Sequence, residues 1–298
     1  MFICICSRKE IHKKLTAERQ LAEYGRVQKD TNFDVLIFTQ HWPYTVCYQW
    51  QEGKKSNECD LPAVKNSWTI HGIWPTKFHT IGPLFCNNTW DFDLEKLAPI
   101  EDKMKQNWIN IEHGTPLDGL WKHEWIKHGT CTAEHIVEMN DELKYFQKGL
   151  DWLEKYSITN LLMSSDIKPS TDAAYSLEDI HTALKKHLDL NFAIICYKDR
   201  KSTREYLFEI RICFDKTLAL ASCDGIVMDG ILANDPDPDD DILTNCRKDQ
   251  QIIYPSSAWF HRHQLYEAVR EERVNQLNWR KQLVNIYKLV NLVKRATL

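Results

Sequence analysis

The chain has 298 residues, 43% of them hydrophobic, and a formal net charge of −4 at pH 7. That length can bury a sizeable core in one large domain or two small ones. No run approaches the roughly 18 apolar residues that cross a bilayer, and the charge does not advertise a polyanion-binding surface. The 12 histidines qualify the last point, because full protonation would carry the charge from −4 to an upper bound of +8, and a polyanion would be received better at acidic pH.

Residues 1–30 are mostly polar. Their apolar stretch, Met1–Cys6, is shorter than the roughly 7–15 residues of a secretory signal, and Arg8, Lys9, Lys13 and Lys14 follow at once. Phe33–Thr39 is β-branched and aromatic and predicts a buried strand, ended by His41-Trp42-Pro43. Ser67–His71 predicts a second short strand, and Lys96–Trp108 carries helical spacing. Trp121–His128 predicts a helix that stops at Gly129, a usual terminator. Asp141–Tyr156 predicts an amphipathic helix with Leu143, Phe146, Leu150 and Leu153 on its apolar face, and Leu177–Leu188 predicts another. Phe192–Cys196, Tyr206–Phe214 and Thr217–Ser222 predict strands, the last two joined by a tight turn at Asp215-Lys216 as an antiparallel hairpin. Helices first and a hairpin later favour an α+β domain over a doubly wound sheet. Asn234–Ile242, with two prolines and five aspartates, reads as a solvated acidic loop; a calcium site is disfavoured because the EF-hand glycine and distal glutamate are missing. Residues 264–295 read as one amphipathic helix packed on the body.

Cys4 and Cys6 lie in the N-terminal stretch. The other eight, Cys47, Cys59, Cys86, Cys131, Cys196, Cys213, Cys223 and Cys246, are dispersed with no C-x-x-C pair. That pattern favours four disulfides and an oxidising compartment over a zinc site. Eight cysteines allow on the order of a hundred pairings, so spacing leaves the connectivity open. Asn87-Asn88-Thr89 is a glycosylation sequon with Asn87 as acceptor.

Two segments, Ser67–Pro75 and Trp121–Cys131, gather His71, His123, His128, Glu124 and Lys127 among tryptophans. Imidazoles exchange protons near neutral pH, and a carboxylate and a lysine beside them can set their charge and steady an anion. On an α-helix Glu124 and His128 share a face, as do His123 and Lys127; His71 arrives separately, from the end of a strand. Acid–base chemistry on a phosphate ester needs such an arrangement, one group taking a proton on one side of the phosphorus and another giving one on the other side. A lone histidine among tryptophans reads as a packing residue; three with Glu124 and Lys127 do not. Trp68, Trp121 and Trp125 are expected in the core, while Trp74 is open between packing and ligand stacking. The rival reading is a zinc protease, since His123-Glu124 begins like H-E-x-x-H. The next histidine comes at +5, about 140° round an α-helix, so no metal and no cofactor are expected.

The two segments resemble the signature motifs of the ribonuclease T2 family of acid endoribonucleases. The resemblance runs from Phe33 to about Pro255 and includes Gln40-His41-Trp42-Pro43 and the eight body cysteines. It implies an α+β fold, a central antiparallel sheet flanked by helices and stapled by disulfides. The catalytic domain then spans residues 31–255, between an N-terminal extension (1–30) and a basic, aromatic, helical C-terminal extension (256–298). The activity implied is endonucleolytic cleavage of single-stranded RNA by metal-independent transesterification. The ribose 2′-OH attacks the adjacent phosphorus, leaving a 2′,3′-cyclic phosphate and a free 5′-OH, which excludes DNA. By position His71 and His128 match the acid–base pair, with His128 assigned as base and His71 as acid. Glu124 and Lys127 match the groups that stabilise charge on the phosphoryl oxygens, and His123 matches a phosphate-binding histidine. Trp74 and Gln40 are the candidates for base binding. Thr76 stands where several relatives carry a base-binding aspartate, so no base preference carries over. The disulfides implied are Cys47–Cys59, Cys86–Cys131, Cys196–Cys246 and Cys213–Cys223. A monomer is expected, secreted or lysosomal/endosomal. The alternative on the same fold is a non-catalytic RNA-binding or extracellular signalling protein, which loss of His71 or His128 would have favoured.

Overall fold

The computed structural model describes residues 30–54, 56–200, 202–228, 231–232 and 242–296. The expectations for the N-terminal extension, with Cys4 and Cys6, and for the acidic segment up to Asp241 fall outside these residues. In chain order the elements are β1 (Val35–His41), α1 (Pro43–Gly53), β2 (Thr69–Thr76), a 3-10 turn (Leu94–Leu97), α2 (Glu101–Asn107) and α3 (Gly119–Glu124). A π-helical turn (Trp125–Gly129) leads into α4 (Thr130–Ala133), followed by a 3-10 turn (Val137–Met139), α5 (Glu142–Lys155), α6 (Ile158–Met163), β3 (Ala174–Tyr175) and α7 (Leu177–Lys185). Then come β4 (Ala193–Lys198), β5 (Glu205–Phe214), β6 (Leu220–Ala221), β7 (Val227–Met228), β8 (Ile231–Leu232), β9 (Leu243–Thr244), β10 (Ile252–Ile253) and α8 (Ser257–Ala296).

The helices begin where local chemistry allows. Pro43 opens α1, where its missing N–H goes unused. Asp141 caps α5 by accepting from the Lys144 N–H at 2.8 Å, and Ser176 and Asp179 form a reciprocal capping box on α7. The Lys96–Trp108 stretch divides into the first 3-10 turn and α2.

Ten-residue β5 is the hub of the sheet, pairing antiparallel with β1, β4 and β6. β1 pairs antiparallel with β2. The sheet is mixed rather than purely antiparallel, because two short strands pair parallel: β10 with β5 and β9 with β4. These are late two-residue returns of the chain along strands already in place. The expected turn at Asp215-Lys216 is longer: the Asp215 N–H donates to Ala219 O at 2.9 Å, and Leu218 takes a left-handed φ of 64°. The third predicted strand accordingly shortens to Leu220–Ala221.

β1 alternates strictly. Leu36 and Phe38 face the main core with Trp42, Trp108, Trp125 and Phe146, while Val35 and Ile37 face a smaller cluster with Ala193, Ile195 and Ile226. The four bonds Cys47–Cys59, Cys86–Cys131, Cys196–Cys246 and Cys213–Cys223 are all closed, as the resemblance implies. Cys86–Cys131 ties the loop after β2 to α4, and the Phe85 N–H donates to Lys127 O at 2.8 Å beside it.

Two helix expectations need correction. The helix at Trp121 does not stop at Gly129: Gly129 has ordinary right-handed angles and the chain runs straight into α4. Its missing side chain is needed for packing instead, since a Cβ there would sit 2.4 Å from Trp125 Cε3. Among the described side chains, the C-terminal helix packs on the body at its start. Phe260 is buried, Trp259 and His263 stack, Arg262 pairs with Asp172 at 2.9 Å, and the Ser257 N–H donates to Asn66 at 2.8 Å. These contacts fix the helix axis, and Leu265, Val269, Val274, Leu277, Trp279, Leu283 and Ile286 along it face water.

Candidate active site

β1 and β2 run in register from Val35↔Thr76 to Thr39↔Gly72, then resume at Gln40↔Ile70. His71 is therefore the extra residue of a β-bulge, a device that re-aims one side chain out of the strand's alternation. The bulge also explains why Ile70 and Ile73, three apart, both reach the main core. The backbone is fixed around it: Trp108 Nε1 donates to His71 O at 2.9 Å, and the Tyr145 hydroxyl donates to Ile73 O at 2.7 Å.

The second contribution comes from α3 and the π turn. A π turn adds one residue to the helix repeat and is frequent at functional sites. The +5 spacing of His123 and His128, which on an α-helix would turn them apart, here leaves their rings 6.5 Å apart. The angular argument against a shared ion therefore does not apply to this helix. Among the described residues, one trio of His, Cys, Asp or Glu has ligand atoms close enough to hold a metal, Cys196, Glu205 and Cys246, and its two cysteines are bonded to each other. The same turn undoes the expected Glu124–His128 pairing. The Glu124 carboxylate accepts from Trp74 Nε1 at 2.9 Å, while His128 Nδ1 is buried without a hydrogen-bond partner.

A cleft of about 430 Å³ is lined by His71, Trp74, Thr76, His123, Glu124, Lys127 and His128. Trp74 stands between the two inner imidazoles, its ring 5.0 Å from that of His71 and 5.7 Å from that of His128. Gly72 makes this possible: a Cβ there would fall 2.0 Å from Glu124 Oε2 and 2.3 Å from Trp74 Nε1. Gln40, by contrast, is fully buried behind the sheet. Its amide donates to Tyr156 O at 2.7 Å and accepts from the Ile158 N–H at 3.3 Å, so it supports α6 rather than a base.

Three residues of the site escaped the sequence reading. His71 Nδ1 donates to Glu209 Oε1 at 2.7 Å, and the other oxygen of Glu209 accepts from Arg211 at 2.8 and 3.1 Å. Both charged residues are buried in β5. The Arg211 guanidinium also lies 5.3 Å from the Trp74 ring. His41, stacked on His71 at 5.2 Å, is the third; burial drives its pKa down to about 3, so it is a neutral wall. The available signal was the pair of charges inside Tyr206-Leu-Phe-Glu-Ile-Arg-Ile-Cys-Phe214, where an otherwise apolar strand can bury them only as partners.

These contacts push the titrating groups apart. Burial works against the charged form of His71, but the hydrogen bond and charge of Glu209 prevail and its pKa lies above the ordinary value. Burial likewise opposes Glu209 ionisation, yet Arg211 and His71 hold it down to about 2. His128 is displaced well below the ordinary value by burial, then by the charges of Lys127, His123 and His71. His123 is lowered by burial and by Lys127. Burial raises Glu124 to about 7 despite His71, Trp74 and Lys127.

The last shift has a measurable consequence. A carboxyl whose folded pKa is raised weighs nothing below its unfolded value of 4.5; as pH climbs from there through 7, the unfolded chain ionises first and folding loses on the order of 3 kcal/mol. Glu124→Gln removes that loss. Thermal unfolding followed by circular dichroism should show Glu124→Gln and wild type nearly alike at pH 4 and the variant several degrees more stable at pH 8.

Residues 33–223 match the sequence profile of the Ribonuclease T2 family. The chain is 36% identical over 197 residues to Ribonuclease Oy of Magallana gigas, covering 65% of this chain and 88% of that protein. It is 32% identical over 193 residues to human Ribonuclease T2, covering 64% and 70% respectively. The crystal structure of human RNase T2 superposes with a TM-score of 0.59 at 30% identity, over 75% of this chain and 99% of that one. RNase NT in complex with 5′-AMP gives 0.60 at 25% identity, over 76% and 99%. With that match across most of its length and a cleft built from both signature segments, the chain belongs to the ribonuclease T2 family and is a ribonuclease.

Proposed function

We propose that residues 31–255 form an endoribonuclease unit that cleaves single-stranded RNA by transesterification, with His128 as base and His71 as acid. The observation that carries this reading is the opposite environment of two imidazoles in one cleft: His71 held by Glu209, and His128 buried with no partner on Nδ1. At mildly acidic pH the first is charged and the second neutral, the states an acid and a base need at the outset. Neutral His128 takes the proton from the ribose 2′-OH, whose oxygen attacks phosphorus. The imidazolium of His71 gives its proton to the departing 5′-oxygen. The products are a 2′,3′-cyclic phosphate and a 5′-OH. Lys127 and His123 hold the phosphate, and Glu124, neutral below about pH 7, donates a hydrogen bond to a non-bridging oxygen as charge grows there. The part of the Trp74 ring not covered by Arg211 offers a stacking surface, which tolerates any base. No residue of the set requires a metal, and DNA, lacking the attacking hydroxyl, is not cut.

The surroundings fit the same reading. Four disulfides suit a secreted or lysosomal setting, and among the described residues no helix is long and apolar enough to cross a membrane. Asn87 is half-buried in a turn with its side-chain oxygen accepting from Thr89, next to Cys86, and is proposed to carry a glycan. The test is single-stranded RNA at about pH 5, where free imidazole is protonated, with EDTA present and end groups identified by mass spectrometry. Cyclic ends from RNA and none from DNA of the same sequence are expected. RNA bound but uncut would favour a binding protein, and cleavage abolished by EDTA would favour a metallohydrolase.

A further inference from the structure

One hydrogen bond joins the ring that offers a stacking surface to the carboxyl that serves the phosphate. Trp74 Nε1 donates to Glu124 Oε2 at 2.9 Å, and among the described residues this is the one hydrogen bond of the Glu124 side chain. The bond passes over the bare Cα of Gly72, where a side chain would collide with both partners. The indole is half-buried, beside the rings of His71 and His128, and both it and Glu124 line the cleft. A protonated carboxyl accepts an N–H at its carbonyl oxygen and donates from the other. With Oε2 held by Trp74, the proton belongs on Oε1, the oxygen left to the cleft. Rotation of the indole about its side-chain torsions would carry Nε1 off the carboxyl and let the proton settle on either oxygen.

A nucleobase stacked on the indole face opposes that rotation, because stacking fixes the plane of the ring. We propose that Trp74 is a positioning residue that couples nucleobase binding to the orientation of Glu124. A seated nucleobase holds the indole, the indole N–H holds Oε2, and the Oε1 proton is aimed at the phosphoryl oxygen. The coupling presupposes Glu124 as the donor to that oxygen, on which it rests. Through it, part of the binding energy of a group remote from phosphorus is realised only in the transition state, and so appears in kcat instead of KM. RNA that lacks the stacked nucleobase is then cut slowly even when the cleft is saturated. Stacking is blind to the identity of the base, so the coupling requires a nucleobase without choosing among the four.

The test uses the full chain and oligomers that carry a single ribose among 2′-O-methyl nucleotides, so that one bond can be cut. The nucleobase on either side of that bond is present or removed. Trp74→Phe keeps a stacking face and loses the N–H; it should lower kcat up to about tenfold, the worth of one hydrogen bond, and leave KM within about twofold. In wild type, removing the stacked nucleobase should lower kcat by a similar factor. In Trp74→Phe the same removal should raise KM alone, and in a Glu124→Ala background Trp74→Phe should not lower kcat further. Infrared difference spectra against Glu124→Gln read the carboxyl apart from activity. Its band should titrate at about pH 7 in wild type and higher in Trp74→Phe, because the indole N–H favours the carboxylate. The other groups that face this carboxyl, His71 on β2, Lys127 on the π turn, Glu209 on β5 and Tyr145 on α5, are the same in both proteins. Effects of Trp74→Phe and of nucleobase removal that multiply independently on both sides of the bond, or a carboxyl band that does not move, overturn the coupling. A slow Glu124→Ala beside an unimpaired Trp74→Phe overturns the coupling alone, whereas an unimpaired Glu124→Ala removes the phosphate role of Glu124 and the coupling with it.

Discussion

His71→Ala and His128→Ala should each lower kcat/KM on single-stranded RNA by about 10²–10⁴-fold, the range of a positioned general acid or base, with both proteins folded. The pH profiles separate the roles. In wild type, activity falls on the alkaline side as His71 loses its proton, above the ordinary histidine value because Glu209 holds it. It falls on the acid side only far down, because His128 resists protonation. The outcome is a broad bell with its maximum on the acid side of neutrality. The residual activity of His71→Ala should lack the alkaline limb set by that imidazolium, and that of His128→Ala the acid limb. If the limbs were exchanged between the two variants, His71 would be the base and His128 the acid.

Glu209→Gln should move the alkaline limb of the wild-type profile to lower pH by about one unit, slowing the reaction by roughly tenfold on the alkaline side of both limbs and far less near pH 5, in line with the loss of the charge that supports the imidazolium. Glutamine keeps the shape and can still accept from Nδ1, so the ring stays in place while its charge support is gone. A residue that only held the fold would lower the melting temperature and leave the limb where it was. Glu209→Leu should do more damage, about 3–5 kcal/mol of stability, because it takes one partner from a buried ion pair with Arg211. Linkage at Glu209 works in the opposite sense to Glu124. Its lowered pKa stabilises the fold above the ordinary 4.5, and that support disappears as pH falls toward 2.

The elements that sequence patterning foresaw are those in which one period holds throughout. β1, β4, β5, α5 and α7 all fall within a few residues of expectation, because alternation and the 3.6-residue repeat are properties of each segment alone. The site was legible at the level of residue type: His71, His123, Glu124, Lys127 and His128 do line one cleft. What stayed hidden depends on breaks in period. The bulge that turns His71 outward needs a facing strand, and the π turn that brings His123 and His128 together needs an extra residue the 3.6-residue pattern does not mark. Glu209 and Arg211 were visible only as charges in an apolar strand, and their partner lies 138 positions away. Gln40 shows the reverse failure: a polar residue beside the signature was read as ligand-facing when its amide completes the backbone bonding of α6.

The π turn at Trp125–Gly129 makes the helix that carries His123 and His128 a composite of two frames. Residues before it and residues after it each obey the ordinary repeat, but the second set is one step out of phase with the first. Deleting a single residue within the turn would restore one continuous α-helix without touching any functional side chain that precedes it. Everything downstream would then swing by about 100°, carrying Cys131 away from Cys86 and breaking the tie to the loop that walls the cleft. The length of this helix, as much as its residues, sets which side chains meet in the cleft.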